Sequence, residues 1–442
     1  MTIFNTAQSI SSGGGSVLPG RIAACKYQGY IEQGSRVRCT FQPVKSGVPP
    51  ENTQPSEFRY SRGTENRLFL GYSSSPYMRV FDINPDLTLS AVTLSAPSYG
   101  ALQFLDVSPD GQYCVTSSAT SPYIRCSKYV AGAMVDYPIV ATQGVVGNIR
   151  PSTTEGANLL NFGKNGSHFL SAVNASNTII ARNTGTQFEF ASNATHIPCV
   201  IRVISRDKRY IAGHTFTYVA SNRYTVTIKV YELTDEVNVV YTEVCNKNLA
   251  NYSPTQTPKV MLFDYDNNLY ILDIYGNDMW VKLDPYSWNE VAGTRYDDLS
   301  IVPDTSVSQN GFIVPYNTQS EGTTTSSSNQ KFPLLGKMNP SVFIERRGMP
   351  ANSLLTNTTQ TSIAIGSICA GNKLFQFMNN PQSWQVYDLT QMSAEPHYGS
   401  LHQSIVNQRT LAPQTLETTQ ALGIALETGN HEEVHNVQLL WE

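Results

Sequence analysis

The chain has 442 residues, too many for one ordinary hydrophobic core, so it folds either as several domains or as one large repeat array with appendages. Charged residues make up 14% of it, against roughly 25% in soluble globular proteins, while Ser, Thr, Asn, Gly and Tyr are plentiful, so its surface is neutral and rich in hydroxyls. The 30 basic and 34 acidic residues leave a net charge of -4, which supplies no cationic field to neutralise phosphates and excludes sequence-specific nucleic-acid binding as a main role.

The N-terminus, Met1 to Ile10, has neither a basic nor an apolar region of the secretory kind, and nowhere do ~18 apolar residues run together to cross a bilayer. The expectation is synthesis and assembly in a cytoplasm without membrane insertion. Residues 1–58 open with the flexible run Ser11-Ser12-Gly13-Gly14-Gly15-Ser16. They continue through Ile22 to Tyr27 and the alternating segment Arg36-Val37-Arg38-Cys39-Thr40-Phe41, which reads as a strand, before Pro49-Pro50 and Pro55 mark a linker.

An internal repeat follows. Ser75-Pro76-Tyr77 and Ser121-Pro122-Tyr123 lie 46 residues apart (121 minus 75), each between two apolar runs and each followed by an apolar residue and an arginine. A period of this size marks a propeller or solenoid, because one supersecondary unit cannot bury its own apolar faces and stacks on copies of itself.

Seven units on this plan can be traced from 59 to 393. The first two carry the SerProTyr triplets, and the third runs from Ser167 to Arg182 around Asn174-Ala175-Ser176-Asn177. The fourth joins Arg209–Gly213 to Tyr224–Tyr231, and the fifth joins Leu269–Asp273 to Asp278–Leu283; both are rich in β-branched and aromatic residues. The sixth, around Gly311–Tyr316, is interrupted by Thr323-Thr324-Thr325-Ser326-Ser327-Ser328, a solvated loop by composition. The seventh runs from Ser362 through Lys373–Phe377 to Tyr387. Seven units over this span average about 48 residues, in the ~40–50 range of a four-stranded blade, so the expected fold is all-β, a seven-bladed propeller with β appendages at both ends.

Val107-Ser108-Pro109-Asp110-Gly111-Gln112-Tyr113 is a turn with a mechanism, since Pro presets φ and Gly accepts positive φ. With the strand, loop and strand ending in Arg125-Cys126-Ser127-Lys128-Tyr129, it resembles the inner hairpin of WD40-like propellers. The chain lacks their Trp-Asp dipeptide, so the resemblance is to the loose class. In the last segment, 394–442, Ala421 to Glu427, the turn Thr428-Gly429-Asn430-His431 and Val434 to Trp441 predict a β-hairpin, with Leu422, Ile424 and Leu426 on one face and Val437, Leu439 and Trp441 on one face. A helix over 415–427 is the rival reading, against which Gly423 counts. This hairpin is similar to small β-modules on the heads and fibres of tailed bacteriophages.

Chemistry is sparse. Gly13-Gly14-Gly15 precedes Ser16-Val17-Leu18-Pro19 and is no phosphate loop. Asp264-Tyr265-Asp266-Asn267-Asn268 places oxygen ligands at the first, third and fifth positions of a calcium loop, but Leu269 stands where that loop turns on Gly, so an Asx-rich turn is the better reading. Of seven histidines only His431 and His435 are close, and on a hairpin arm they form no zinc face. No Gly-x-Ser-x-Gly elbow occurs, and the carboxylate neighbours Asp297-Asp298 and Glu432-Glu433 would point to opposite faces of a strand. Seven cysteines without a CxxC pair are expected to be buried free thiols; a Cys114–Cys126 bridge across the second SerProTyr loop is conceivable, but a reducing compartment argues against it. No cofactor or metal is expected. Tyr72, Tyr77 and Tyr123, in or beside the repeated loops, are candidates for contact with a glycan or partner, with loop packing as the plainer alternative.

The resemblances imply a non-enzymatic structural part of a tailed-phage virion, tail-associated, whose partners are other virion proteins and copies of itself. Residues 59–393 would be the rigid platform, and 1–58 and 394–442 would dock on neighbours by strand addition. The alternatives are a head decoration protein, a receptor-binding adhesin that uses the tyrosines on a host surface glycan, and an enzyme with carboxylates converging in a central channel.

Overall fold

The computed structural model describes residues 21–47, 58–72, 75–95, 102–118, 123–141, 160–174, 177–190, 197–205, 207–220, 223–248, 260–263, 267–272, 280–290, 305–307, 312–315, 335–337, 364–379, 382–396 and 422–439. Among them the regular structure is β apart from one 3-10 turn at Lys164–Gly166. The fold is all-β and propeller-like, as the repeat implied.

Seven open sheets follow one another along the described chain. The first is built from Phe58–Gly63, Arg67–Tyr72, Met78–Ile83 and Leu89–Ala91 as an antiparallel meander. The second and third repeat this plan and add a fifth strand. Thr93–Leu94 runs parallel to Ala133–Tyr137 of the second, and Ile139–Ala141 runs parallel to Phe188–Phe190 of the third, so the chain leaving each sheet straps the outside of the next. The fourth comprises Val200–Ile204, Tyr210–Ala220, Arg223–Asp235 and Val240–Asn248. Three strands each are described for the fifth, from Val260–Phe263, and the sixth, from Thr305–Val307.

Strand Arg67–Tyr72 shows why these sequences read as continuous apolar runs. Leu68 and Leu70 pack against the seventh sheet and Phe69 packs against the second, so both faces are covered and no polar alternation survives. Further buried clusters join the second sheet to the third, the third to the fourth and the fourth to the fifth. The sixth sheet lies beside Ala364–Ala370 of the seventh.

The seventh sheet takes three strands from Ala364–Ala370, Lys373–Asn379 and Gln382–Asp388, and its fourth from the other end of the chain. Pro43–Gly47 pairs antiparallel with Gln382–Asp388. The propeller-like body therefore reaches ahead of residue 59, the expected boundary, to recruit a strand from the N-terminal segment.

The remaining terminal strands make a closed barrel. Arg21–Tyr27 lies between Met392–Pro396 and Val434–Leu439, and Arg36–Thr40 lies between Met392–Pro396 and Leu422–Ala425, which in turn pairs with Val434–Leu439. The expected alternation holds in Val37, Cys39 and Phe41, all buried. The expected C-terminal hairpin is present, but its first arm turns the other way. Ala425 is buried with Val437, whereas Ile424 and Leu426 are only partly buried. Residue size misleads here, because a small barrel admits the small side chain. Every barrel strand has two partners, so among the described strands of 1–58 and 394–442 paired within these sheets the edge left for docking by strand addition is that of Pro43–Gly47, outermost in the seventh sheet.

All seven cysteines are free and buried. Cys126 is opposite Val115 and faces the third sheet, while Cys114 faces the first, so the two lie on opposite faces of one sheet and cannot bridge.

Two buried features carry measurable weight. Gly63 lies where the first sheet meets the seventh, and a Cβ there would sit 2.5 Å from the Cys369 carbonyl oxygen. His168 is fully buried, with Nδ1 2.9 Å from Ser167 Oγ and Nε2 2.8 Å from the Tyr241 hydroxyl. Burial, then the Lys208 and Arg182 charges, lowers its pKa to about 4. His435 on the barrel is shifted the opposite way, raised by hydrogen bonds to Glu433 and Glu427.

Gly63→Ala is expected to lower stability by about 1–3 kcal/mol, since backbone has to shift to admit the methyl group; urea denaturation at pH 7 measures this. For His168 the unfolded state binds the proton between about pH 6.5 and pH 4 and the folded state does not, so its stabilising contribution is complete above pH 6.5 and is lost as pH falls toward 4. The wild type should lose roughly 2 kcal/mol from this group between pH 7 and pH 5. His168→Gln should lose less over the same interval, and the difference between the two changes isolates this imidazole; equal losses would contradict the assignment.

Candidate functional site

The two SerProTyr loops join equivalent strands. The Tyr72 amide donates to the Tyr77 carbonyl at 2.8 Å and the Ser118 amide donates to the Tyr123 carbonyl at 2.9 Å, the same bond in successive sheets. The tyrosines do not form one surface. Tyr72 is 9% exposed in the core shared with Phe375 and Trp384 of the seventh sheet, the packing that stood as the plainer alternative. Tyr77 is partly buried against the core between the first and second sheets, and Tyr123 is partly buried beside the second.

At the opposite end of the hairpins, the turns between first and second strands share one backbone feature. The fourth turn residue has positive φ in the second, third, fourth and fifth sheets: Gly111 (69°), Gly166 (64°), Lys208 (62°) and Asn267 (61°). Two of these turns also share their hydrogen bonds. Ser108 Oγ donates to Asp110 Oδ1 at 2.5 Å and accepts from the Tyr113 amide at 2.9 Å. Ser205 Oγ donates to Asp207 Oδ1 at 2.5 Å and accepts from the Tyr210 amide at 2.8 Å. The sequence signal was available, since Ser205-Arg206-Asp207-Lys208-Arg209-Tyr210 copies the serine, aspartate and tyrosine of Ser108 to Tyr113.

The turns touch their neighbours. Arg67 donates from Nη1 to the Gly111 carbonyl at 2.9 Å and from Nε to Asp82 at 2.6 Å, with its guanidinium 3.5 Å above the Tyr129 ring. Asn267 Nδ2 donates to Asp207 Oδ2 at 2.9 Å. The segment considered as a calcium loop is thus the fifth sheet's copy of the turn in its described part, while 264–266 lie outside the described residues. Among the described residues no group of three or more His, Cys, Asp or Glu side chains is placed to hold a metal.

Where these turns meet the innermost strands, charges from three sheets gather with a backbone amide from a fourth. Arg62 ends the innermost strand of the first sheet, and its Nε lies 3.4 Å from Oδ1 of Asp106 on the innermost strand of the second. The other Asp106 oxygen accepts the Phe162 amide of the third at 2.6 Å. Lys208 from the fourth completes the group: desolvation lowers its ammonium pKa, Asp106 opposes that shift, Arg62 adds to it and Asp207 opposes it. Among the described residues no hydrogen bond or ion pair engages this ammonium. Asp106 is the single carboxylate on the described innermost strands, so paired carboxylates of the glycosidase kind do not converge there. Asp297-Asp298 lie outside the described residues, and Glu432-Glu433 stand exposed on the barrel. His431 is exposed beside Glu432, and both nitrogens of His435 face carboxylates.

No protein-family model and no curated protein matches the chain. Three solved structures are similar to it in backbone. One, described as a "putative 6-phosphogluconolactonase" of Bacteroides fragilis, is 14% identical with a TM-score of 0.38, covering 62% of this chain and 80% of that one. Another, described in the same words, from Bacteroides uniformis, is 15% identical with a TM-score of 0.36, covering 54% and 70%. A functionally unknown protein of Desulfotomaculum acetoxidans is 10% identical with a TM-score of 0.42, covering 60% and 80%. The expectation that the chain is not an enzyme is corrected here, because two of these structures are described as enzymes; at such identities and TM-scores their activity stays with those proteins.

Proposed function

We propose that the chain is a structural part of a tailed-phage virion, associated with its tail, in which a seven-bladed propeller is the rigid platform and the terminal barrel is the point of attachment. Seven sheets stand in chain order, and packing runs from the sixth through the seventh and first to the fifth. Contact of the fifth with the sixth then closes the ring.

The observation that carries the reading is the pairing of Pro43–Gly47 with Gln382–Asp388. Joining the two ends of the chain in one sheet resists opening under load, which suits a part held in a larger assembly. The neutral, hydroxyl-rich composition and the likeness of the 422–439 hairpin to phage β-modules support the same reading. Neighbours would be other virion proteins and further copies of the chain in closed symmetry.

Because the barrel strands are all paired, attachment would work through side chains. Tyr30 and Val434, 60% and 52% exposed, are the large apolar residues that the described barrel offers to solvent. Antibody against the chain should label purified particles at the tail; labelling of the head surface would favour decoration, and particles free of the protein would overturn the virion reading. The double variant Tyr30→Ser, Val434→Ser should melt within a few degrees of the wild type and enter particles at less than a tenth of its level. Incorporation at the wild-type level would overturn the attachment surface.

A further inference from the structure

His435 stands at the mouth of the barrel, in register with Cys25 and two residues before the buried Val437. Its ring lies 4.8 Å from that of Tyr27, and Gly429 closes over it so tightly that a Cβ there would sit 2.0 Å from Nε2. The turn that carries Gly429 is bound to the connection between Arg21–Tyr27 and Arg36–Thr40. Ile31 and Gly429 exchange both backbone hydrogen bonds at 3.0 Å, and the Gln33 amide donates to Thr428 Oγ1 at 3.0 Å.

Both ring nitrogens of His435 meet carboxylates. Nδ1 lies 3.0 Å from Glu427 Oε2, where the turn begins, and Nε2 lies 3.1 Å from Glu433 Oε2, where it ends. A neutral imidazole has one N–H to donate and one lone pair, which would face a carboxylate, so donation on both sides needs the imidazolium. Hydrogen bonds to Glu433 and Glu427 accordingly raise the His435 pKa. The bond from His435 lowers that of Glu427, and the Asn430 amide, then His435, lowers that of Glu433. The other charged groups of the packed elements are placed elsewhere: Lys26 and His431 both lie against Glu432, and Glu32 is exposed on the facing connection. Tyr27 donates from its hydroxyl to the Glu427 carbonyl at 2.8 Å and stays neutral, its pKa pushed up to about 12 chiefly by burial, and Cys25 is a buried thiol.

We propose that Glu427, His435 and Glu433 form a pH-operated clasp that fixes the turn 427–433 on the mouth of the barrel and opens when the imidazolium loses its proton. The clasp needs both carboxylates ionised and the imidazole protonated, so its contribution is complete between about pH 4.5 and pH 6.5. It is lost as pH rises through the raised pKa of His435 and, at the other end, as pH falls through the lowered pKa values of the glutamates. The exposed pair Tyr30 and Val434 adjoins Ile31 and His435 in sequence, so an open clasp loosens the surface assigned to attachment. That consequence rests on the attachment reading above; the clasp itself does not.

Magnetic resonance titration of the imidazole and amide hydrogen exchange test this. The His435 ring should titrate above pH 6.5, and Glu433→Gln should lower its midpoint; a wild-type midpoint at or below 6.5 would overturn the clasp. Protection of the Ile31, Gly429 and Glu432 amides, corrected for intrinsic rate, should fall roughly tenfold between pH 6 and pH 9, while that of Phe375 in the seventh sheet holds. His435→Gln should be poorly protected at both pH values, and Gly429→Ala, whose methyl group displaces the ring, should behave alike. Equal wild-type protection at the two pH values, a fall of the same size in His435→Gln, or an equal fall at Phe375 would overturn the proposal. Particle incorporation separates the two readings: it should fall with the protection, and incorporation that stays level while protection falls leaves the clasp standing and overturns the attachment surface instead.

Discussion

The pairing of Pro43–Gly47 with Gln382–Asp388 is the constraint on which the rest of the chain depends. Its importance follows from the sheets themselves. In the first sheet Leu68 and Phe69 point to opposite faces and both are fully buried, so a single sheet in water would expose an apolar surface on each side. Stacking relieves this for sheets inside a row but never for the two at its ends. Bringing a strand from before the first sheet into the seventh joins the two ends of the chain, and the cluster of Leu70, Phe81, Phe375 and Trp384 is the hydrophobic seam between the first and seventh sheets. Gly63 belongs to the same junction, where the approach of Cys369 leaves no room for a side chain.

The barrel extends this logic. Its core is continuous with the seventh sheet through Cys369, Leu374 and Tyr387, so the terminal segments are neither appendages nor free arms. The strand that follows Asp388 enters the barrel between Arg21–Tyr27 and Arg36–Thr40, placing the barrel directly against the sheet that the N-terminal strand completes. A change that opens the barrel would therefore also uncover the closing sheet.

How much of this was legible in the sequence differs by the range of the interaction. Hairpins and their turns are local, and the SerProTyr repeat correctly marks equivalent strands because a turn's chemistry lies within a few residues. The pairing of residue 43 with residue 387 has no local signature, and nothing in Pro43-Val44-Lys45-Ser46-Gly47 names its partner. The hairpin at 422–439 failed at a finer level: Ile424 and Leu426 look like the inward face by size, yet barrel curvature places Ala425 inward. Lys208 could have been found, because its turn repeats the pattern of Ser108 to Tyr113 with a lysine where glycine stands.

That last substitution shows how a repeat fold can carry chemistry without a motif. The second, third, fourth and fifth sheets each contribute a turn with positive φ at its fourth residue, and hydrogen bonding holds it with glycine or lysine there: serine, aspartate and the amide two residues on are satisfied in both the Gly111 and the Lys208 copies. The position is thus structurally redundant in side chain and constrained only in φ. A residue placed there is projected toward neighbouring turns at a modest conformational cost, while the frame supplies fixed partners such as Asp106. Arg62, Asp106 and Lys208 are far apart in sequence and separated by whole sheets, so no spacing rule connects them. Their proximity is a product of stacking alone, which is why the same all-β body can remain rigid while its turn ends vary.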